Sequence, residues 1–133
     1  MPTRTAVVPA RPHALYKLHG YSPAIRSGDL LFVSGMVGAR EDGSPEPELS
    51  AQVKLAFANL RDVLAAAGGS FDDVVDLTFY MIDPDASVGM ILNGMRTHFP
   101  DEPRPNVTAI GVNWLAGFQV EIKTIARIPA MLR

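Results

Sequence analysis

No cysteine occurs in these 133 residues. That excludes disulfides, thiolate metal sites and a cysteine nucleophile. Histidine is scarce. His13, His19 and His98 lack the spacing that metal ligands need, so no metal site is expected. No apolar run approaches the roughly 20 residues of a membrane-spanning helix, so no membrane partner is expected. Neither sign of charge dominates: 12 Lys and Arg stand against 14 Asp and Glu, for a formal net charge of -2. Nucleic-acid binders carry a basic surface, so RNA or DNA is not expected as the main partner. Phosphate-binding loops of the forms GxGxxG and GxxxxGK are absent, and no cofactor is expected. Ser22 and Ser34 have no histidine pattern of the triad type.

What is present fits a folded globular chain, 47% hydrophobic and 20% charged, and a single domain over residues 1–133. Residues 1–28 hold Arg4, Arg11, Lys17 and Arg26 and no acid, which a transit peptide could also show. Prolines before His13 and the hairpin pattern that follows favour a short strand and a loop of the domain itself. With no signal peptide, a cytoplasmic protein is expected, its Asn106-Val107-Thr108 sequon unglycosylated.

Thr5 to Val8 reads as a first strand, and Arg11 to His19 as a loop. Ser27-Gly28-Asp29 is a turn between two short strands. The run Leu30-Leu31-Phe32-Val33 has no alternation, which predicts burial on both of its faces. Ser50 is a candidate N-cap for a helix carrying Val53, Phe57, Leu60, Leu64 and Ala67 at helical spacing, stopped by Gly68-Gly69. Val74 to Ile82 predicts a strand with Val75, Leu77, Phe79 and Met81 on one apolar face. A second helix, about Ala86 to His98, would turn Val88, Ile91, Leu92 and Met95 inward, weakened by Gly89 and Gly94.

Pro105 to Ile128 reads as a final hairpin, two strands joined by a tight turn at Leu115-Ala116-Gly117. Val120, Ile122, Thr124 and Ala126 share one face, and Glu121 lies opposite, flanked by Gln119 and Lys123. Trp114 reads as a core or interface tryptophan in preference to a cleft aromatic. The whole is an α+β domain, one mixed sheet with two helices on one face. The other face would keep Val107, Tyr80, Ile82 and part of Leu30–Val33 in water, which predicts a homo-oligomer with ligand clefts between subunits.

Several segments in order resemble the Rid family (reactive intermediate deaminases, also called YjgF or L-PSP endoribonuclease-like). They are Tyr21-Ser22-Pro23-Ala24, Gly28-Asp29, Phe32 to Gly35, Gln52, Asn59-Leu60, Ala67-Gly68, Asp72-Asp73-Val74, Phe99-Pro100 and Val120 to Ala126. The resemblance implies a chorismate-mutase-like fold and a homotrimer with three intersubunit clefts for a small-molecule ligand. It implies hydrolysis of imines and enamines, with Glu121 and Tyr21 as the catalytic pair and Gly35 and Met36 on the ligand side. The family's deaminases read P-x-R-[ST] before the last strands. Here that register gives Pro105-Asn106-Val107-Thr108, so Val107 takes the place of the carboxylate-binding arginine, beside Asn106. Arg104 and Arg26 are the candidates to replace it. Without that guanidinium, the common 2-iminopropanoate activity is not expected. Two alternatives are a non-catalytic metabolite-binding protein of the same fold and, weaker, an endoribonuclease.

Overall fold

The computed structural model describes residues 3–129. Six strands form one mixed sheet in the order β1-β2-β3-β6-β4-β5. They are β1 (Thr5–Val7), β2 (Ala24–Ser27), β3 (Leu30–Met36), β4 (Val74–Met81), β5 (Asn106–Gly111) and β6 (Val120–Arg127). Only β4 and β5 run parallel. A parallel neighbour needs a crossover, and α3 (Pro84–His98) supplies it. The other long helix, α2 (Leu49–Ala66), packs with α3 against the sheet. A short helix, α1 (Leu15–His19), occupies part of the segment expected to be a loop.

The core lies between the helices and one sheet face. Phe57, Leu60 and Leu64 of α2 meet Leu31, Val33, Leu77, Phe79, Val120 and Ile122 there, all buried. The α2 stripe is the one its 3.6-residue spacing predicts. Its N-cap, however, is Glu48 rather than Ser50, and no side chain caps it.

Four other expectations are corrected. The run Leu30–Val33 alternates: Leu30 and Phe32 are 40% and 38% exposed, Leu31 and Val33 fully buried. An all-apolar run hides this alternation, because nothing in composition marks which face meets the helices. In β4 the pairing to β6 slips between Val74 and Asp76, so Val74 is buried and Val75 is exposed. In α3 the buried positions are Ser87 and Ile91, while Val88 and Leu92 are exposed. Ser87 can face inward because its hydroxyl donates to the Asp83 carbonyl at 2.8 Å. Lastly, β5 and β6 are not a hairpin, since β4 lies between them. The segment joining them straddles the end of β4: Val112 N–H donates to the Met81 carbonyl, and Ile82 N–H to the Gln119 carbonyl.

The face turned away from α2 and α3 carries rows of paired residues. Glu121 pairs with Tyr80 and Tyr80 with Ile110; Phe32 pairs with Ile125. Val107 is not on this face. It pairs with Leu77, a core residue, and so sits on the helix side of the edge strand.

Candidate functional site

At the bulge in β3, two residues, Ser34 and Gly35, stand between the pairs Val33–Thr124 and Met36–Ile122, opposite Lys123 alone. Bulges re-aim side chains, and they recur beside functional sites. Ser34 is fixed by its hydroxyl donating to the Ser22 carbonyl at 2.7 Å and its N–H donating to the Pro23 carbonyl at 2.9 Å. Lys123 Nζ donates to the Val33 carbonyl at 2.5 Å. Gly35 then lies under the carboxylate of Glu121 with no room for a Cβ.

Glu121, Gly35 and Tyr21 line one cavity of about 510 Å³. Burial pushes the Glu121 carboxyl above its ordinary value, partly offset by the Lys123 ammonium. Burial raises the Tyr21 phenol as well, and the Glu121 charge adds to it. Tyr21 is held by Tyr16, edge to face at 5.1 Å, and Tyr16 in turn stacks on His13 at 4.2 Å and donates to Met36 Sδ at 3.7 Å. The tyrosine therefore stands on a packed base rather than on a free loop.

The rest of the cavity wall is mostly apolar. A small cluster separate from the main core, Val37, Ala39 and Phe118 with Leu15 and Leu115, forms much of it. Gln52 and Asn59 of α2 hold that wall in place. Gln52 Oε1 accepts from Gln119 N–H at 2.6 Å, and its Nε2 donates to the Glu46 carbonyl at 3.0 Å. Asn59 Nδ2 donates to the carbonyls of Val37 and Ala39. None of the lining residues is Lys or Arg, and Glu121 is the one acid among them.

Other expected site residues are not brought together with these. Met36 is fully buried in the core. Asn106 is on β5, where its Nδ2 donates to Asp76 Oδ1 at 2.6 Å. Val107 is on the same edge strand, two strands away from Glu121 and on the other face. Arg104 is bound to its own loop, donating to the carbonyls of Phe99 and Pro100 and to Glu102. Arg26 joins β2 to the ends of β6 and α2, donating to the carbonyls of Ile128 and Ala67. Neither arginine lines the cavity. Conversely, sequence reasoning missed His19, Tyr80, Val112 and Phe118 as lining residues, and it preferred a core or interface place for Trp114 over a cleft. Trp114 is not in the core: it lines the cavity and is 73% exposed. Strand pairing and the loop over β4 bring these together, and neither is visible in local pattern.

Among the described residues no cluster of His, Asp or Glu could hold a metal ion, and no helix is long and apolar enough to cross a membrane.

Comparison with known proteins identifies the family of this fold. Residues 11–128 match the family model Endoribonuclease L-PSP. The RutC family protein YjgH of Escherichia coli (strain K12) is 58% identical over 129 residues, covering 97% of this chain and 98% of that protein. A solved structure of protein YJGH superposes with a TM-score of 0.93 at 57% identity, covering 98% of this chain and all of that one. RidA from the Antarctic bacterium Psychrobacter sp. PAMC 21119 superposes with a TM-score of 0.79 at 27% identity, over 96% of this chain and 100% of that one. The chain belongs to the Rid family, the YjgF or L-PSP endoribonuclease-like proteins.

Proposed function

We propose that the protein hydrolyses a small imine or enamine to a carbonyl compound and ammonia in the cavity holding Glu121. The observation that carries this reading is the meeting of Glu121, Tyr21 and Gly35 in one apolar-walled pocket. Water adds to the imine carbon while the Glu121 carboxylate takes its proton. That proton passes to the nitrogen to give a carbinolamine. Glu121 then carries the carbinolamine hydroxyl proton to the nitrogen, the C–N bond breaks as the C=O bond forms, and ammonia leaves. A carboxyl raised by burial is a stronger base than an ordinary carboxylate, which suits it to taking and returning the proton. The Tyr21 hydroxyl, kept protonated by its raised pKa, donates a hydrogen bond that orients the reacting group.

The substrate is not 2-iminopropanoate in this reading. A buried carboxylate without a Lys or Arg partner is disfavoured, and the wall has neither. Val107, at the family's arginine position, does not supply one. Phosphodiester cleavage lacks support for the same reason.

The active form is a homotrimer in this reading. The exposed Leu30, Phe32 and Ile110 support it, as does the edge strand β5, free to close a neighbour's cavity. Binding without turnover is the second reading, and the apolar wall favours it.

The test is an ammonia-release assay on neutral and carboxylated imines, with Glu121→Gln as control. Turnover of neutral imines, reduced at least about 100-fold in the variant, supports hydrolysis. Tight binding with no turnover leaves the second reading. Robust turnover of 2-iminopropanoate overturns the substrate assignment.

A further inference from the structure

The segment between β5 and β6 carries the only tryptophan of the chain, Trp114. An indole 73% exposed leaves a large flat apolar surface open to a ligand. This one is not loosely placed. Val112 N–H donates to the Met81 carbonyl at 2.9 Å on one side, and Gln119 N–H donates to buried Gln52 at 2.6 Å on the other. Between them Phe118 N–H closes a turn onto the Leu115 carbonyl at 3.0 Å, and the Phe118 ring is buried. Ala116 and Gly117 take left-handed φ of 53° and 94°, which reverses the chain directly after Trp114 and Leu115. The backbone that carries Trp114 is therefore set before a ligand binds, which lowers the entropy lost on binding.

The same cavity that Trp114 lines has Glu121 and Tyr21 in its wall. In the single chain its volume of about 510 Å³ falls in the range that holds drug-sized ligands. The wall offers flat and aliphatic surface and no Lys or Arg.

We propose that Trp114 is the specificity-determining residue of this cleft, and that the ligand carries an uncharged aromatic ring stacked on its indole with the imine or carbonyl end at Glu121. The class is an aryl alkyl imine and its ketone product, without a carboxylate. This rests on the reading of the cavity as the ligand site, but it is tested by binding, independently of turnover.

Being single, Trp114 reports on itself through its emission. The wild type is titrated with acetophenone, with benzoylformate (the same ring bearing a carboxylate) and with acetone (the same carbonyl without the ring). Calorimetry repeats the series on Trp114→Ala and Trp114→Phe, and light scattering records the assembly of each. The expected result is that acetophenone quenches the emission and binds at least about tenfold more tightly than either other probe. Trp114→Ala weakens acetophenone about tenfold, while Trp114→Phe restores most of the affinity and acetone is unaffected.

Equal or tighter binding of benzoylformate overturns the proposal, as does acetophenone affinity unchanged in Trp114→Ala or undetectable in the wild type. A changed oligomeric mass in Trp114→Ala also overturns it, because Trp114 is then covered by a second copy of the chain. If the binding pattern holds but no imine is turned over, the hydrolase reading falls and this assignment stands. If imines are turned over with no dependence of selectivity on Trp114, the reverse is true.

Discussion

A Cβ built on Gly35 would fall 2.5 Å from Oε2 and 2.7 Å from Oε1 of Glu121. The conformation of Gly35 is open to any residue, so its role is to leave space for the carboxylate. Gly35→Ala should therefore displace Glu121 and, where Glu121 is the proton-transfer group we propose, lower kcat/KM for a turned-over imine by at least about tenfold. A melting temperature close to that of the wild type would separate this effect from misfolding. Glu121 itself has a measurable signature. Burial raises its pKa above the ordinary 4.5, so the folded chain holds this proton more tightly than the unfolded chain. The stability that this proton contributes is complete below 4.5 and is lost as pH rises through the folded value. Glu121→Gln removes the titration. Its melting temperature should rise relative to the wild type between pH 4 and pH 8, and thermal scans at the two values check the sign.

Two glycines in α3 show how packing decides the sign of a helix substitution. A Cβ at Gly89 meets nothing, so Gly89→Ala should stabilise by about 0.5–1 kcal/mol through helix propensity alone. A Cβ at Gly94 would lie 2.9 Å from Cζ of Phe57 and closer still to another atom of that ring. Phe57 is buried, so the clash outweighs propensity, and Gly94→Ala should destabilise by about 1–3 kcal/mol. Urea unfolding of both variants tests the pair. Sequence pattern treats these glycines alike, as helix weakeners. Elements read well where one period runs uninterrupted, as in α2 and in the buried face Val120, Ile122, Thr124 and Ala126 of β6. They read badly where a bulge shifts the phase, as at Val75, or where a serine satisfied by its own helix faces inward, as at Ser87.

The exposed apolar side chains of the uncovered sheet face belong to the scale of the whole molecule. Leu30 and Phe32 are over a third exposed, and Phe32 pairs with Ile125 across the sheet. Covering such a face in a homotrimer relieves roughly 25 cal/mol for each square ångström buried. Phe32→Lys should then give a monomer by light scattering, with circular dichroism unchanged and imine turnover lost. A variant that keeps its mass and its activity would remove the trimer from the functional reading.

The sequence by itself determined the α+β class, the long helix α2 and the buried stripe of β6. Each follows from a local period or from a run of residues in a recognisable order. The tertiary structure alone decided that β4 separates β5 from β6. Strand order depends on which edges pair, and two strands with a turn between them look alike whether they pair with each other or with a third. From that one difference came the loop that carries Trp114 over the end of β4 to the cavity, and the placing of Val107 on the far face from Glu121.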